Sequence, residues 1–429
     1  MRRSLVPALA LLPLLALRPA SGEAPPTADV GALVAGQNAF ALDLYGRLKG
    51  GAGNLLFSPY SIHSALAMTR AGAAGETAAQ MDRVLHLPVA APPSGAGAFA
   101  GMAAAWKALV ALIATAPQAT DYGAEGRKQV PAYNLSVANA LWGQSGFPFV
   151  PAYRALLKDA FGADLNDVDF AQGPRVRQQI NDWVLEKTNQ KIKDLIPEGL
   201  PTADTRLALV NAIHFLAQWD EPFSEQGTEP KDFTGEQGRV VKVKMMRRTG
   251  WFRTFEDQDA RVLALPYKGG AAEMLLVLPK DPAGLPALEA GLTLARIGGW
   301  GQRKEGGRTA LELPRFTFEA ATDLSTTLAA MGMPDAFAVA KADFSEMARQ
   351  PEEPLYIGVV LHKAFIAVDE KGTEAAAATA VLMRAGSAPN HAEPVPFVCD
   401  RPFLFFLRHV STGALLFAGR LAAPAPAAD

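Results

Sequence analysis

Apolar positions along this chain change their rhythm about midway. Phe40, Leu44 and Leu48, with Ala41 and Tyr45, recur at helical spacing and fall on one face. Residues 54–57 form a short strand-like run. Ser58-Pro59 then opens a second helix, with serine at the N-cap and proline at the first helical position. Residues 99–114 read as helical. Residues 175–196 read as an amphipathic helix, with Ile180, Trp183, Val184, Lys187 and Ile192 at helical intervals. Residues 88–97 are rich in Pro, Gly, Ala and Ser and read as a surface loop, and residues 118–131 as a linker. Residues 135–142 suit a strand, and residues 207–215 are a dense apolar run of the kind found in central strands covered on both faces. From there short strand-like runs dominate: 240–246, 261–266, 274–278, 311–318, 356–368, 403–408 and 415–420. Helices first and strands later point to an α+β fold in one intertwined domain, without internal repeats.

The N-terminal end follows other rules. Arg2 and Arg3 precede an apolar run over residues 5–17, followed by Ala20-Ser21-Gly22. This is the pattern of a secretory signal cleaved after Gly22; the run is too short for a membrane span and carries Pro7 and Pro13. The expected organisation is a signal over residues 1–22, a flexible segment over 23–36, a single domain over 37–422 and a frayed tail over 423–429. Export implies a secreted protein, extracellular or periplasmic.

Composition narrows the function. The 429 residues are 49% apolar with a formal charge of −2, so nothing electrostatic calls for nucleic acid or an anionic membrane as partner. Cys399 is the only cysteine, so no intrachain disulfide can staple the fold and stability must come from the packed core. The histidines His63, His86, His214, His362, His391 and His409 do not pair at zinc-ligand spacing. There is no Gly-x-Ser-x-Gly elbow and no phosphate-binding loop. The sequence calls for no metal and no cofactor, and it offers no catalytic constellation. Asn134-Leu135-Ser136 is a formal glycosylation triplet that opens an apolar run and reads as incidental. A binding or mechanical role is expected, not an enzyme.

The run Asp369-Glu370-Lys371-Gly372-Thr373-Glu374-Ala375-Ala376-Ala377-Ala378-Thr379 resembles the proximal hinge of inhibitory serpins. Four further segments agree with that family in order and spacing: NLLFSPYSIHSALAMTRAGAAG over 54–75, LSVANALW over 135–142, the segment 181–223 with DTRLALVNAIHFLAQWDEPF at its end, and the closing segment 397–420 with Arg401-Pro402-Phe403 and Phe417-Ala418-Gly419-Arg420. The resemblance covers nearly the whole chain from Asn38 to Leu421. It implies three β-sheets, eight or nine helices and an exposed reactive loop, here about residues 370–396. In that family a protease cleaves the loop and is acylated through its serine. The loop then enters the largest sheet as a new central strand and carries the protease to the opposite pole. By resemblance, Ser58, Ser61, Asn211 and His362 form the polar shutter beneath the central strands, and Trp219 marks the breach where insertion begins.

The hinge residues suit that task on their own chemistry. In a strand, Thr373, Ala375, Ala377 and Thr379 share one face and are small and uncharged; Glu374, Ala376 and Ala378 share the other. No proline interrupts residues 370–388, so no ladder donor is missing. Taken alone, the alanine-rich run would favour a helix, and His362 alone would read as a satisfied core histidine; the surrounding matches favour the loop and the shutter. Inserting about a dozen residues forms on the order of ten backbone hydrogen bonds of about 1 kcal/mol net each, comparable with the roughly 5–15 kcal/mol that stabilises an ordinary domain.

The family's usual distance from Glu370 ends at Gly386, with Ser387 on the leaving side. A count one shorter selects Ala385-Gly386, and two shorter Arg384-Ala385. Small residues suit an elastase-like or subtilisin-like protease and Arg384 a trypsin-like one. The expected partner is a target serine protease held covalently by a monomeric inhibitor. Heparin is not expected, because residues 99–114 carry only Lys107 where a basic helix would be needed. Two other readings stand beside this: an inhibitor of papain-like cysteine proteases, and a non-inhibitory serpin used as carrier or chaperone.

Overall fold

The computed structural model describes residues 29–88, 96–123, 126–302, 306–349, 355–373 and 393–427. Among the described residues there are nine α-helices and three sheets, of nine, six and two strands. The six-stranded main sheet runs in the order Phe316–Asp323, Val359–Val368, Gly372–Thr373, Leu207–Gln218, Asn134–Gln144 and Leu165–Val168.

Both faces of its central strand are covered, which is why residues 207–215 lack polar alternation. Ala208, Val210 and Ala212 pack with Val176, Ile180 and Val184 of the helix Gly173–Lys187. Leu207, Leu209, Ile213 and Phe215 point into the larger core shared with the other elements. Beneath that inner face lies the helix Pro59–Arg70, in which every residue from Pro59 to Thr69 is buried. Its Ser61 and Thr69 hydroxyls are bonded inside the protein, to Asn139 Oδ1 and Ala65 O, as enclosure on all sides demands. Its start follows the sequence signal: the Ser58 side chain accepts the Ser61 N–H at 3.1 Å, and Pro59 fills the first turn.

The helix Val30–Leu48 begins ahead of residue 37, and its Leu33 and Val34 are buried. The packed fold therefore takes in part of the segment 23–36. At the other end, Asn54 Oδ1 accepts the N–H groups of Ala422 and Ala423, and the Ala427 N–H donates to Lys242 O at 2.7 Å. The tail is thus tied down through Ala427, not frayed.

Three other expectations need correction. Residues 118–131 are not a linker but a hairpin, Gln118–Gly123 paired with Gly126–Pro131. Neither face of it is apolar, so backbone pairing holds it and the hydrophobic pattern carried no signal. The helix expected over 175–196 stops at Lys187, where Asn189 and Gln190 adopt φ of 53° and 65°. Ile192, Leu195 and Ile196 are buried in irregular backbone, which mimics continued amphipathicity. The run 311–318 is two strands in different sheets, Gly306–Pro314 and Phe316–Asp323, with the chain crossing over at Arg315. The signal segment 1–22 lies outside the described residues.

Candidate functional site: a wedge in the main sheet above a buried polar cluster

Val359–Val368 and Leu207–Gln218 run parallel and pair directly from Val359↔Ala208 to Ala364↔Ile213. Beyond that point they part, and Gly372–Thr373 enters between them. Gly372 lies opposite Gln218, and Thr373 opposite Ala217 on one side and Val368 on the other. The central pair of the sheet is therefore closed at one end and wedged open at the other.

The wedge requires its sequence. A Cβ on Gly372 would collide with Ala217 O, so only glycine fits without moving backbone. The turn that aims the chain into the gap is held by Asp369, whose Oδ1 accepts the N–H groups of Lys371 and Gly372 at 2.8 and 3.1 Å. Thr373 is buried, and its hydroxyl shares a 2.6 Å hydrogen bond with Tyr267. The Tyr267 ring stacks on Trp219 with centroids 4.5 Å apart. Trp219 is fully buried; its indole donates to Asp369 O at 2.9 Å and its backbone N–H to Lys371 O at 2.8 Å.

Glu370 anchors the same turn. Its backbone carbonyl accepts the Phe223 N–H at 2.8 Å, its carboxylate accepts the Thr228 hydroxyl at 2.7 Å, and Arg315 forms an ion pair with it. Burial opposes ionisation here, but the Thr228 and Arg315 hydrogen bonds outweigh it and hold the carboxyl below its ordinary range.

Under the closed end lies a buried polar cluster. Ser58, Ser61, Asn211 and His362 are brought together there, with a fifth member, Asn139, from the strand Asn134–Gln144. The Ser58 N–H donates to His362 Nε2 at 3.1 Å, so the proton sits on Nδ1, which donates to Asn211 Oδ1. The Asn211 amide donates to Ser61 Oγ at 2.6 Å and to Asn139 Oδ1. The Ser61 hydroxyl donates to Asn139 Oδ1 at 2.8 Å, and Asn139 returns a bond to Ser61 O at 3.1 Å. Ser58 Oγ closes the set on Leu416 O at 2.6 Å. Every polar atom near the centre is satisfied, as burial demands. Burial pushes the His362 imidazole down to about 3, so it is neutral at physiological pH.

Asn139, Tyr267, Thr228 and Arg315 escaped the sequence reading. Only register could have found Asn139, which lies directly opposite Asn211. Of the sequence-predicted site residues, Glu374, Ala375, Ala376, Ala377, Ala378 and Thr379 of the hinge lie outside the described residues. So do Arg384, Ala385, Gly386 and Ser387 around the reactive bond. Among the described residues no group of His, Cys, Asp or Glu is placed to hold a metal ion, and no helix is long and apolar enough to cross a membrane.

The main sheet thus holds a short strand, Gly372–Thr373, between its two central strands at one end, with a buried polar cluster under the other. A family model described as Serpin (serine protease inhibitor) matches residues 35–424, and the chain belongs to the serpin family. Human Serpin B3 is 38% identical over 391 residues, covering 90% of this chain and 97% of that protein. The leukocyte elastase inhibitor of Bos taurus is 37% identical over 406 residues, 91% and 99% of the two chains. Among solved structures, Serpin48, a highly specific serpin of the insect Tenebrio molitor, superposes with a TM-score of 0.76 at 28% identity, covering 92% of this chain and 98% of that one. Serpins are mostly protease inhibitors rather than enzymes, and members of the family bind target proteases.

Proposed function

We propose that the protein is a secreted serine-protease inhibitor that works as a suicide substrate. The target's serine Oγ attacks the carbonyl of the residue before the scissile bond, Gly386 in the preferred register. An ester forms to that carbonyl, and the peptide bond breaks, with the proton delivered to the departing nitrogen of Ser387. The freed loop then enters the main sheet before water can release the ester, and the protease is carried away on it.

The observation that carries this reading is the register of the wedge. Moving along the chain from Thr373 to Thr379 moves the partner from Ala217 to Asn211 on one side and from Val368 to His362 on the other. Asn211 and His362 are already opposite one another, so both sides of the gap give the same answer. Continued insertion delivers the Thr379 hydroxyl to the polar cluster, as a replacement partner for the Asn211–His362 bond it must break. Ala375 and Ala377 would follow Thr373 on the inner face and are small and uncharged. Glu374 falls on the other face, opposite half-buried Leu216 and Ala367.

Incubation with pancreatic elastase, subtilisin, trypsin and chymotrypsin tests this. An SDS-resistant complex should form with at least one of them and release a C-terminal fragment whose mass identifies the bond. Clean cleavage by all four without a complex would refute inhibition. Secretion is checked separately: N-terminal sequencing of protein exported by the expressing cell should begin at Glu23.

A further inference from the structure

Three stretches of chain that lie far apart in sequence meet around one open cleft. The first is the turn of residues 234–238, which joins the strands Glu229–Thr234 and Val240–Glu256. The second, residues 282–286, leads into the helix Leu285–Ala290; the third, residues 400–402, joins Val395–Val398 to Phe403–His409. The cleft has a volume of about 560 Å³, within the range of small-molecule sites. None of its residues belongs to the wedge or to the polar cluster. Its walls are fastened to their surroundings and to one another, so it is formed before any ligand arrives. The Thr234 N–H donates to Asp400 O at 2.8 Å, Arg401 donates to Pro279 O at 3.0 Å, and the Gly53 N–H donates to Glu236 Oε2 at 3.0 Å. Gln237, in the turn, holds a left-handed φ of 59°, a conformation that side-chain-bearing residues keep only where the surroundings fix it.

The lining says what would fill the cleft. Pro282, Leu285, Pro286 and Pro402 offer pyrrolidine rings and methyl groups, apolar faces that suit a flat ring system. Two carboxylates, Glu236 and Asp400, stand among them. Each is bonded through one oxygen, Glu236 Oε2 by Gly53 and Asp400 Oδ1 by Arg401. Among the described residues the second oxygen of each has no partner. The cation of the lining, Arg401, is already engaged by Asp400 and by Pro279 O. Two carboxylates against one guanidinium leave the lining negative, with its open charged groups all acceptors.

We propose that this cleft is a binding site for a flat apolar amine, a ring system carrying one protonated amino group. The rings lie against the proline faces, and the ammonium is held by the Glu236 and Asp400 carboxylates through charge-assisted hydrogen bonds. Because the walls come from separate parts of the chain, a bound amine ties together the turn, the helix start and the segment that follows Val395–Val398. It binds the folded protein and not the unfolded chain, so it raises stability. The site stands apart from the inhibitory reading above, and inhibition without ligand does not depend on it.

The probe is naphthylmethylamine, a cation at pH 7, with the neutral naphthylmethanol and the anionic naphthoate as controls, each titrated against the full-length protein by ligand-observed NMR. The amine should bind about fivefold or more tighter than the alcohol, and naphthoate more weakly than either. Glu236→Gln and Asp400→Asn keep acceptors for Gly53 and Arg401 and remove only the charge. Each should weaken the amine by about threefold or more and leave the alcohol unchanged. Ala283→Trp places an indole in the cleft at an exposed position of its lining. It should abolish binding of amine and alcohol alike, with the ligand-free melting temperature unchanged. Saturating amine should raise the melting temperature of the parent and not that of Ala283→Trp. No binding of the amine, or equal binding of amine, alcohol and naphthoate, would overturn the proposal. Amine binding that survives Ala283→Trp, or that is untouched by Glu236→Gln and Asp400→Asn together, would also overturn it.

Discussion

Protonating His362 would set an N–H on Nε2 against the N–H of Ser58, in a site without water to separate them. Unfolded, the ring titrates near 6.5; folded, burial pushes it to about 3. Below about 6.5 the unfolded chain takes up a proton that the folded chain refuses. The stability this histidine contributes is thus complete above that pH and is lost as the pH falls towards 3, by roughly 1.4 kcal/mol per unit. His63, pushed by burial to about 4, adds a loss of the same sign. Thermal melts at pH 7 and pH 5 should show the parent losing stability, and His362→Gln losing distinctly less; identical pH dependence would contradict the linkage. Asn139 offers a second check on the cluster. Asn139→Ala leaves the Ser61 hydroxyl and one Asn211 donor without their partner, which should cost about 1–3 kcal/mol in denaturant unfolding.

The wedge strand Gly372–Thr373 is short enough that its contacts can be broken one at a time. Gly372→Ala should drive it out of the gap, because the added methyl meets Ala217 O. Hydrogen exchange would then rise in the peptide covering residues 369–373, where the parent's turn is held by Asp369. Thr373→Arg acts later. It places a charge on the inner face of the entering strand, where desolvation is costly, so insertion slows and the acyl ester is hydrolysed first. The variant should be consumed as a substrate, with stoichiometry of inhibition rising several-fold; an unchanged yield of covalent complex would count against insertion as the trapping step.

At the scale of the whole molecule, the fold was legible wherever burial was one- or two-sided and continuous. The run at 207–215, the Ser58-Pro59 helix start and the closing strands all follow hydrophobic pattern and capping chemistry. The hairpin at 118–131 was not legible, because its stability lies in backbone pairing between two polar strands. The helix end at Lys187 was hidden because irregular backbone went on burying Ile192, Leu195 and Ile196. At the site, resemblance led to Ser58, Ser61, Asn211, Trp219 and His362. Asn139 and Arg315 join the site through register and crossover, which one sequence does not display. The molecule also implies an energetic asymmetry. In the proposed mechanism, cleavage in the loop would let residues beyond Thr373 replace the direct pairing of Val359–Val368 with Leu207–Gln218 by two antiparallel ladders. The melting temperature should rise sharply on cleavage, and an unchanged value would indicate a member that does not insert its loop.

The most direct measurement is a crystal structure of the protein after cleavage in the loop. The chain beyond Thr373 should lie as a full strand between Leu207–Gln218 and Val359–Val368, with the Thr379 hydroxyl bonded within the Asn211–His362 cluster. A cleaved protein in which those two strands still pair directly from Ala208 to Ile213, with the loop outside the sheet, would contradict it.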